Sequence, residues 1–244
     1  MIPKIIHYCW FGRGEKPDEI RKCIETWHKY LPDYQFIEWN EDNFPVDYCT
    51  YTKQAYATKK YAFVSDVARL YGLYHYGGIY FDTDIEVRKP LDSVVNGGYS
   101  FITAFESDAS VMTGFLAAEA NNALVKEFLE LYNGLRFEKD GVRDETPNTV
   151  RLTKLLQQRG LQMNRERQMF DDRIFVYTTE EIGAFDADSM SFCINDSTVL
   201  VHRCMASWAG KKLRRRLAIR KFLARMIGKD RYNALRRLKS GKRG

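Results

Sequence analysis

The 244-residue chain lacks the cysteine pattern that would staple a small secreted fold. Its five cysteines (Cys9, Cys23, Cys49, Cys193 and Cys204) are odd in number and contain neither a CxxC pair nor a zinc-type spacing. Buried or free thiols in a reducing compartment are the expectation. No run approaches the ~18 uninterrupted apolar residues that a membrane span needs. The first residues, Met1-Ile2-Pro3-Lys4, lead straight into a strand-like stretch with no secretory signal, so a cytoplasmic location is expected. A Gly-rich triphosphate loop is also missing, which argues against a nucleotidyltransferase. No internal repeat or low-complexity segment interrupts residues 1–210.

What is present fits an α/β protein. Hydrophobic residues make up 45% of the chain and aromatics 14%, enough for a sizeable core. The formal net charge of +6 hides a division. Residues 211–244 carry fifteen Lys and Arg against Asp230 alone, leaving 23 basic and 31 acidic residues in 1–210. An acidic body therefore precedes a basic tail, with the boundary near Gly210.

Hydrophobic patterning predicts strands alternating with helices. Lys4 to Phe11 reads as a buried strand, and Pro17 opens a helix to about Tyr30. Tyr34 to Trp39 reads as a second strand. Tyr61 to Tyr76 has helical period, with Phe63, Val67, Leu70, Tyr71 and Tyr74 on one stripe. Gly77-Gly78 ends that helix, and Ile79 to Asp82 reads as the next strand. Later strands are expected at 100–105, 174–178 and 198–201, with helices near 122–135 and from Thr146-Pro147-Asn148 to Gly160. This alternation predicts a mostly parallel central sheet flanked by helices.

The chemistry concentrates at Asp82-Thr83-Asp84. On an extended strand Tyr80, Asp82 and Asp84 share one side, opposite Ile79 and Phe81. Two carboxylates at a strand's carboxyl end can hold a divalent cation through oxygen ligands, completed by substrate phosphates. The preceding helix carries Asp66 and Arg69 three residues apart, either a surface ion pair or part of the same site. His202, after a strand-like run, is either a third metal ligand or a packed residue. Glu106 and Asp108 read as a solvated loop, which leaves no protein nucleophile assigned.

The segments Ala62-Phe63-Val64-Ser65-Asp66-Val67-Ala68-Arg69-Leu70-Tyr71 and Tyr76-Gly77-Gly78-Ile79-Tyr80-Phe81-Asp82-Thr83-Asp84 together resemble the signature of glycosyltransferase family 32. That family comprises sugar-binding-region and capsular polysaccharide synthesis transferases related to the glucosylating clostridial toxins. Pro3 to Gly12 is similar to the family's first strand and Val201 to Trp208 to its closing motif. The resemblance implies a GT-A-like nucleotide-sugar-binding fold over 1–210, a UDP- or GDP-sugar donor, Mn2+ or Mg2+, and a retaining transfer. It implies that Trp10 stacks near the nucleobase, that Asp66 and Arg69 hold the donor sugar, and that Arg69 also approaches the phosphates. Asp82 is then expected at the ribose and metal, Asp84 as a direct metal ligand, Tyr80 in the nucleotide pocket, and Ser207 and Trp208 over the diphosphate. Two departures stand out. Thr146-Pro147-Asn148 replaces the family's Gly-Pro, and Ser207 and Trp208 are adjacent where the toxins separate the pair by one residue.

The expected acceptor is a saccharide, such as a lipid-linked oligosaccharide of a surface polysaccharide. A glucosylating effector acting on a protein is the alternative with the same active-site chemistry. In the tail, Leu213, Leu217, Phe222, Leu223, Met226 and Ile227 form an apolar stripe opposite arginines and lysines. Such a basic amphipathic helix suits an anionic membrane surface or packing on the body. No nucleic-acid motif accompanies it.

Overall fold

The computed structural model describes residues 1–186 and 190–205. Ser207, Trp208 and the tail at 211–244 lie outside the described residues. The chain runs β1 (Ile5–Cys9), α1 (Asp18–Tyr30), β2 (Gln35–Trp39), α2 (Thr50–Ala57), α3 (Tyr61–Tyr76), β3 (Gly78–Phe81), β4 (Ile85–Val87) and the short α4 (Asp92–Val95). It continues through β5 (Phe101–Ser107), β6 (Ser110–Val111), β7 (Phe115–Ala118), α5 (Ala123–Leu131), the hairpin β8 (Glu138–Lys139) and β9 (Val142–Arg143), and α6 (Asn148–Gln157). The remaining strands are β10 (Gln168–Phe170), β11 (Ile174–Tyr177), β12 (Ile182–Gly183), β13 (Phe185–Asp186), β14 (Ser191–Phe192) and β15 (Leu200–His202).

The central sheet has the order β10-β11-β5-β7-β3-β1-β2, with β6 on β5. Strands β2, β1, β3, β5 and β11 point one way, and β7 and β10 are inserted antiparallel. Each face carries its own apolar core, as a covered sheet requires. On one face α3 packs Val64, Val67 and Leu70 with Trp39, Tyr80 and Phe128. On the other Trp27 of α1 packs with Ile6, Ile79, Phe81 and Phe115. The expected alternation in β3 therefore holds, with Tyr80 on one side and Ile79 and Phe81 on the other. Among the described residues no helix is long and apolar enough to cross a membrane.

Gly77 and Gly78 let α3 turn directly into β3. Their φ values of +65° and +105° are left-handed, and a Cβ on Gly78 would stand 2.6 Å from the Ile5 carbonyl oxygen. A second sheet, β12-β15-β4, is small but decisive for position: its antiparallel register sets His202 opposite Ile85. The patterning had left α2, β4 and β7 unassigned. The strands are only three and four residues long, and one of them, β7, is buried throughout, so neither carries a legible period.

Within the sheet, on β1, His7 is fully buried. Its Nδ1 accepts a hydrogen bond from Trp39 Nε1 at 3.1 Å, so the proton sits on Nε2, which donates to the Gly77 carbonyl at 2.7 Å. Burial pulls this imidazole down to about 4, against the opposing effect of the Gly77 bond. The folded protein thus keeps His7 neutral where the unfolded chain binds a proton. The stability it contributes is complete above pH 6.5 and is lost as pH falls toward 4, a loss of about 3 kcal/mol. A pH titration of the His7 ring by NMR is expected to show a midpoint near 4, with urea midpoints falling over the same window; a midpoint near 6.5 contradicts this.

Candidate functional site

α3 is buried around most of its girth, and Asp66 and Arg69 emerge on the side that faces the carboxyl end of β3. Both are nearly closed off from solvent, at 9% and 5% exposed. They are a buried pair rather than the surface pair that i, i+3 spacing alone allows. Arg69 Nη2 meets Asp66 Oδ1 at 2.9 Å. Its Nη1 donates to the Thr113 carbonyl at 2.7 Å and stands 3.4 Å from Asp82 Oδ1, and its Nε donates to the Ser65 carbonyl at 3.2 Å. The guanidinium lies over the Tyr80 ring, 4.5 Å from its centroid. One cation therefore joins the two aspartates of different elements.

Residues 82–84 form a turn rather than continuing the strand. Ile85 N–H donates to the Asp82 carbonyl at 3.0 Å, and the chain reverses into β4. The turn aims the two carboxylates at a common point, and β15 brings His202 to the same place. Asp82 Oδ1 accepts from the Tyr80 hydroxyl at 2.9 Å, which leaves Oδ2 facing His202 Nε2 at 4.0 Å. Asp84 Oδ2 accepts from Met205 N–H at 2.8 Å, which leaves Oδ1 3.2 Å from His202 Nε2. Each carboxylate has one oxygen tied by the protein and one turned inward. Candidate ligand atoms of Asp82, Asp84 and His202 all lie within 4.8 Å of one another.

The space between them is kept open by a missing side chain. A Cβ on Gly114 would stand 2.9 Å from Asp82 Oδ2 and 3.2 Å from His202 Cε1. Gly114 also accepts the Asp82 backbone N–H at 2.7 Å, which fixes the turn against β7. Two carboxylates and one imidazole suit a divalent first-row cation with open positions left for water or phosphate. These residues fit such an ion.

Electrostatics point the same way. Burial pushes the Asp66 carboxyl up to about 6, with Arg69 opposing and Asp82 reinforcing. Asp84 is held below the ordinary carboxylate range: burial works against its charge, but His202 and the Met205 N–H outweigh burial. Burial also works against charge on His202, yet Cys204 and Asp84 raise its pKa well above the usual imidazole value. A cation bound here requires His202 as the neutral base, so binding exchanges a proton for the metal.

The structure brings together Asp66, Arg69, Tyr80, Asp82, Asp84 and His202. Trp10 stands apart from that cluster, just beyond β1, with its indole N–H on the Gly14 carbonyl at 2.6 Å and Lys16 Nζ 5.6 Å from its ring centroid. It is partly exposed. Asp108 is held by Arg165 at 2.7 Å, and Glu106 accepts from Ser110 at 3.4 Å. Sequence reasoning missed Thr113 and Gly114, which act through backbone carbonyls. The departure from the family's Gly-Pro puts Asn148 in doubt as a sugar or acceptor contact; the residue is 4% exposed and its side chain hydrogen-bonds Asp66 from α6.

Residues 17–101, from the start of α1 into β5, match the family described as "Glycosyltransferase sugar-binding region containing DXD motif". An uncharacterized glycosyltransferase of Acanthamoeba polyphaga mimivirus is 35% identical over 126 residues, which cover 48% of each chain. Inositol phosphoceramide mannosyltransferase 1 of Schizosaccharomyces pombe is 29% identical over 106 residues, covering 39% of this chain and 32% of its own. The match thus spans 32% and 48% of those relatives' length. Among solved structures, the PaToxG glycosyltransferase superposes with a TM-score of 0.50 at 23% identity, over 64% of this chain and 68% of that one. At that identity the likeness establishes the architecture, which is GT-A-like.

Gly114 makes the metal reading testable without turnover. Gly114→Ala is expected to weaken Mn2+ binding, measured by electron paramagnetic resonance, roughly tenfold or more. Gly134→Ala, where a Cβ meets nothing within 4 Å, serves as the control and leaves Mn2+ affinity at the wild-type value. Equal affinities in both variants contradict a cation seated beside Gly114.

Proposed function

We propose that this chain, which carries the sugar-binding region of the DXD glycosyltransferases between residues 17 and 101, is a metal-dependent retaining glycosyltransferase. It moves a hexose-type sugar from a UDP- or GDP-sugar to a saccharide acceptor. The observation that carries the reading is the convergence of one oxygen from each of Asp82 and Asp84 with His202 Nε2, backed by the buried Arg69.

The chemistry follows from charge. A nucleoside diphosphate leaves as the glycosidic bond breaks, so negative charge grows on its phosphates. A bound Mn2+ or Mg2+ supplies Lewis-acid stabilisation of that charge. Asp82, Asp84 and His202 hold the site for the ion, and the inward oxygens are already oriented by Tyr80 and the Met205 N–H. Arg69 presents a fixed positive group that needs no reorganisation as charge develops. Asp66 accepts hydroxyl protons of the donor sugar, and Arg69 keeps that carboxylate oriented. Trp10 offers an aromatic face at the end of β1 for the nucleobase. Ser207 and Trp208 are assigned to close over the diphosphate, on the family resemblance. Attack by the acceptor hydroxyl from the side of the leaving phosphate, with that phosphate as base, requires no protein nucleophile.

The mannosyltransferase among the relatives makes a GDP-mannose donor worth placing beside UDP-sugars, and its inositol phosphoceramide acceptor supports a membrane-borne glycan acceptor here. Residues 1–210 form the catalytic unit in this reading. The tail at 211–244, with fifteen basic residues, holds the enzyme on the cytoplasmic face of an anionic membrane.

Thermal-shift screening of UDP- and GDP-sugars with and without Mn2+, followed by mass detection of donor hydrolysis, tests the reading. One sugar nucleotide is expected to raise Tm only with the metal present. Asp84→Ala is expected to abolish metal-stimulated hydrolysis while the chain still folds, with an unchanged far-UV circular dichroism spectrum. Wild-type turnover in that variant rules out the metal assignment.

A further inference from the structure

The β13–β14 pair belongs to neither of the larger sheets, and the chain sets it at the rim of the metal cluster. β12 pairs with β15, the strand that carries His202, with Gly183 opposite Val201. Gly183 also abuts the residue before Thr113, since a Cβ there would stand 3.3 Å from Met112 Sδ. Ala184, in the left-handed region at φ +43°, separates β12 from β13. Phe185 of β13 is buried, and Phe192 of β14 packs on it edge to face with ring centroids 5.2 Å apart. Phe192 is 44% exposed, the one phenylalanine among the described residues that stands in solvent to this degree. Arg203, the residue after His202, brings its guanidinium to 5.6 Å from the Phe192 centroid and pairs with Glu86 of β4. Its backbone N–H donates to the Asp84 carbonyl at 3.0 Å, so a single residue joins the exposed ring to the metal cluster.

We propose that Phe192 is the platform for the acceptor: a neutral saccharide ring lays its apolar C–H face on the exposed side of Phe192 and turns its hydroxyl edge toward Arg203 and Glu86. This rests on the nucleotide-sugar reading above. The composition selects the ligand. A flat aromatic face takes the C–H face of a sugar ring, and a few polar groups at its margin fix the orientation. A guanidinium only donates and a carboxylate only accepts, so the Arg203–Glu86 pair matches hydroxyls, which do both. The two charges cancel, so a phosphate or carboxylate has no unpaired cation here to meet. Position supports the same occupant. Attack from the side of the leaving phosphate needs the acceptor beside the cation that holds that phosphate, and Phe192 borders the strand that carries His202.

The test separates the ring face from mere apolar bulk. Phe192→Leu keeps an apolar side chain on Phe185 but removes the flat face, whereas Phe192→Trp enlarges it. Met169→Ala, at an exposed apolar position on the edge strand β10, is the control. Saturation-transfer NMR on the full chain with Mn2+ and UDP or GDP measures Kd for methyl α-mannoside, methyl β-glucoside and lactose, with glucose 6-phosphate as the anionic comparison. Wild type is expected to bind a neutral sugar of this set more tightly than glucose 6-phosphate. For that sugar Phe192→Leu is expected to raise Kd about tenfold, while Phe192→Trp and Met169→Ala keep the wild-type affinity. Calorimetric affinities for UDP and GDP with Mn2+ are expected to agree within about twofold across the set, which a general loss of structure would not give. An unchanged saccharide Kd in Phe192→Leu, or a loss shared equally by the nucleotides, overturns the proposal. So does a preference for glucose 6-phosphate, or a wild type that binds UDP or GDP but none of the neutral sugars. A wild type that binds neither nucleotide defeats the nucleotide-sugar reading, and the Phe192 proposal falls with it.

Discussion

The site depends on the buried guanidinium of Arg69. It touches Asp66, approaches Asp82, occupies the carbonyls of Thr113 and Ser65, and covers the Tyr80 ring. Without it, a carboxylate on α3 and another in the β3–β4 turn would repel each other with little water to screen them. An uncompensated buried charge costs about 3–5 kcal/mol, so this cation is a condition for having the acidic cluster at all. Lysine, a point charge without the planar fork, cannot serve all these partners together. The same group is then in place when phosphate charge develops, so the structural requirement and the chemical one coincide.

Around that cation the fold supplies direction. The Asp82–Asp84 turn and the small β12-β15-β4 sheet bring His202 to within 3.2 Å of Asp84. Tyr80 and the Met205 N–H each take one carboxylate oxygen, so the remaining oxygens need no reorientation to meet a cation. Gly114 keeps the intervening volume free. Tyr80 and His202 sit on strands, and the Asp82–Asp84 turn between β3 and β4 is fixed by the hydrogen bond of Asp82 N–H to the Gly114 carbonyl, which favours a preorganised site.

The readable parts of the sequence were those whose physics is local. Helical period placed Asp66 and Arg69 on one side of α3, and the Gly77-Gly78 break located β3 and its acidic exit. Period could not reveal that Asp66 and Arg69 are buried, because that follows from α3 packing against β1 and β3. The extended-strand argument for Asp82 and Asp84 reached the right convergence by the wrong geometry, since a turn aims them. His202 stayed ambiguous because its neighbour Asp84 is 118 positions away and the pairing that unites them spans three residues. Asn148 drew notice only as a departure from the family pattern, and Arg151 carried no signal, because their place beside Asp66 exists only once tertiary packing has brought α6 against α3.

The central claim is that Asp82, Asp84 and His202 clamp a divalent cation to a sugar-nucleotide diphosphate. Electron paramagnetic resonance titration of Mn2+ into the protein, with and without UDP or GDP, measures this directly. The account predicts one bound ion per chain whose affinity rises when the matching nucleoside diphosphate is present, with each ligand tightening the other by the same factor. Mn2+ that binds no more tightly with either nucleotide, or that fails to bind at stoichiometric protein, would contradict it.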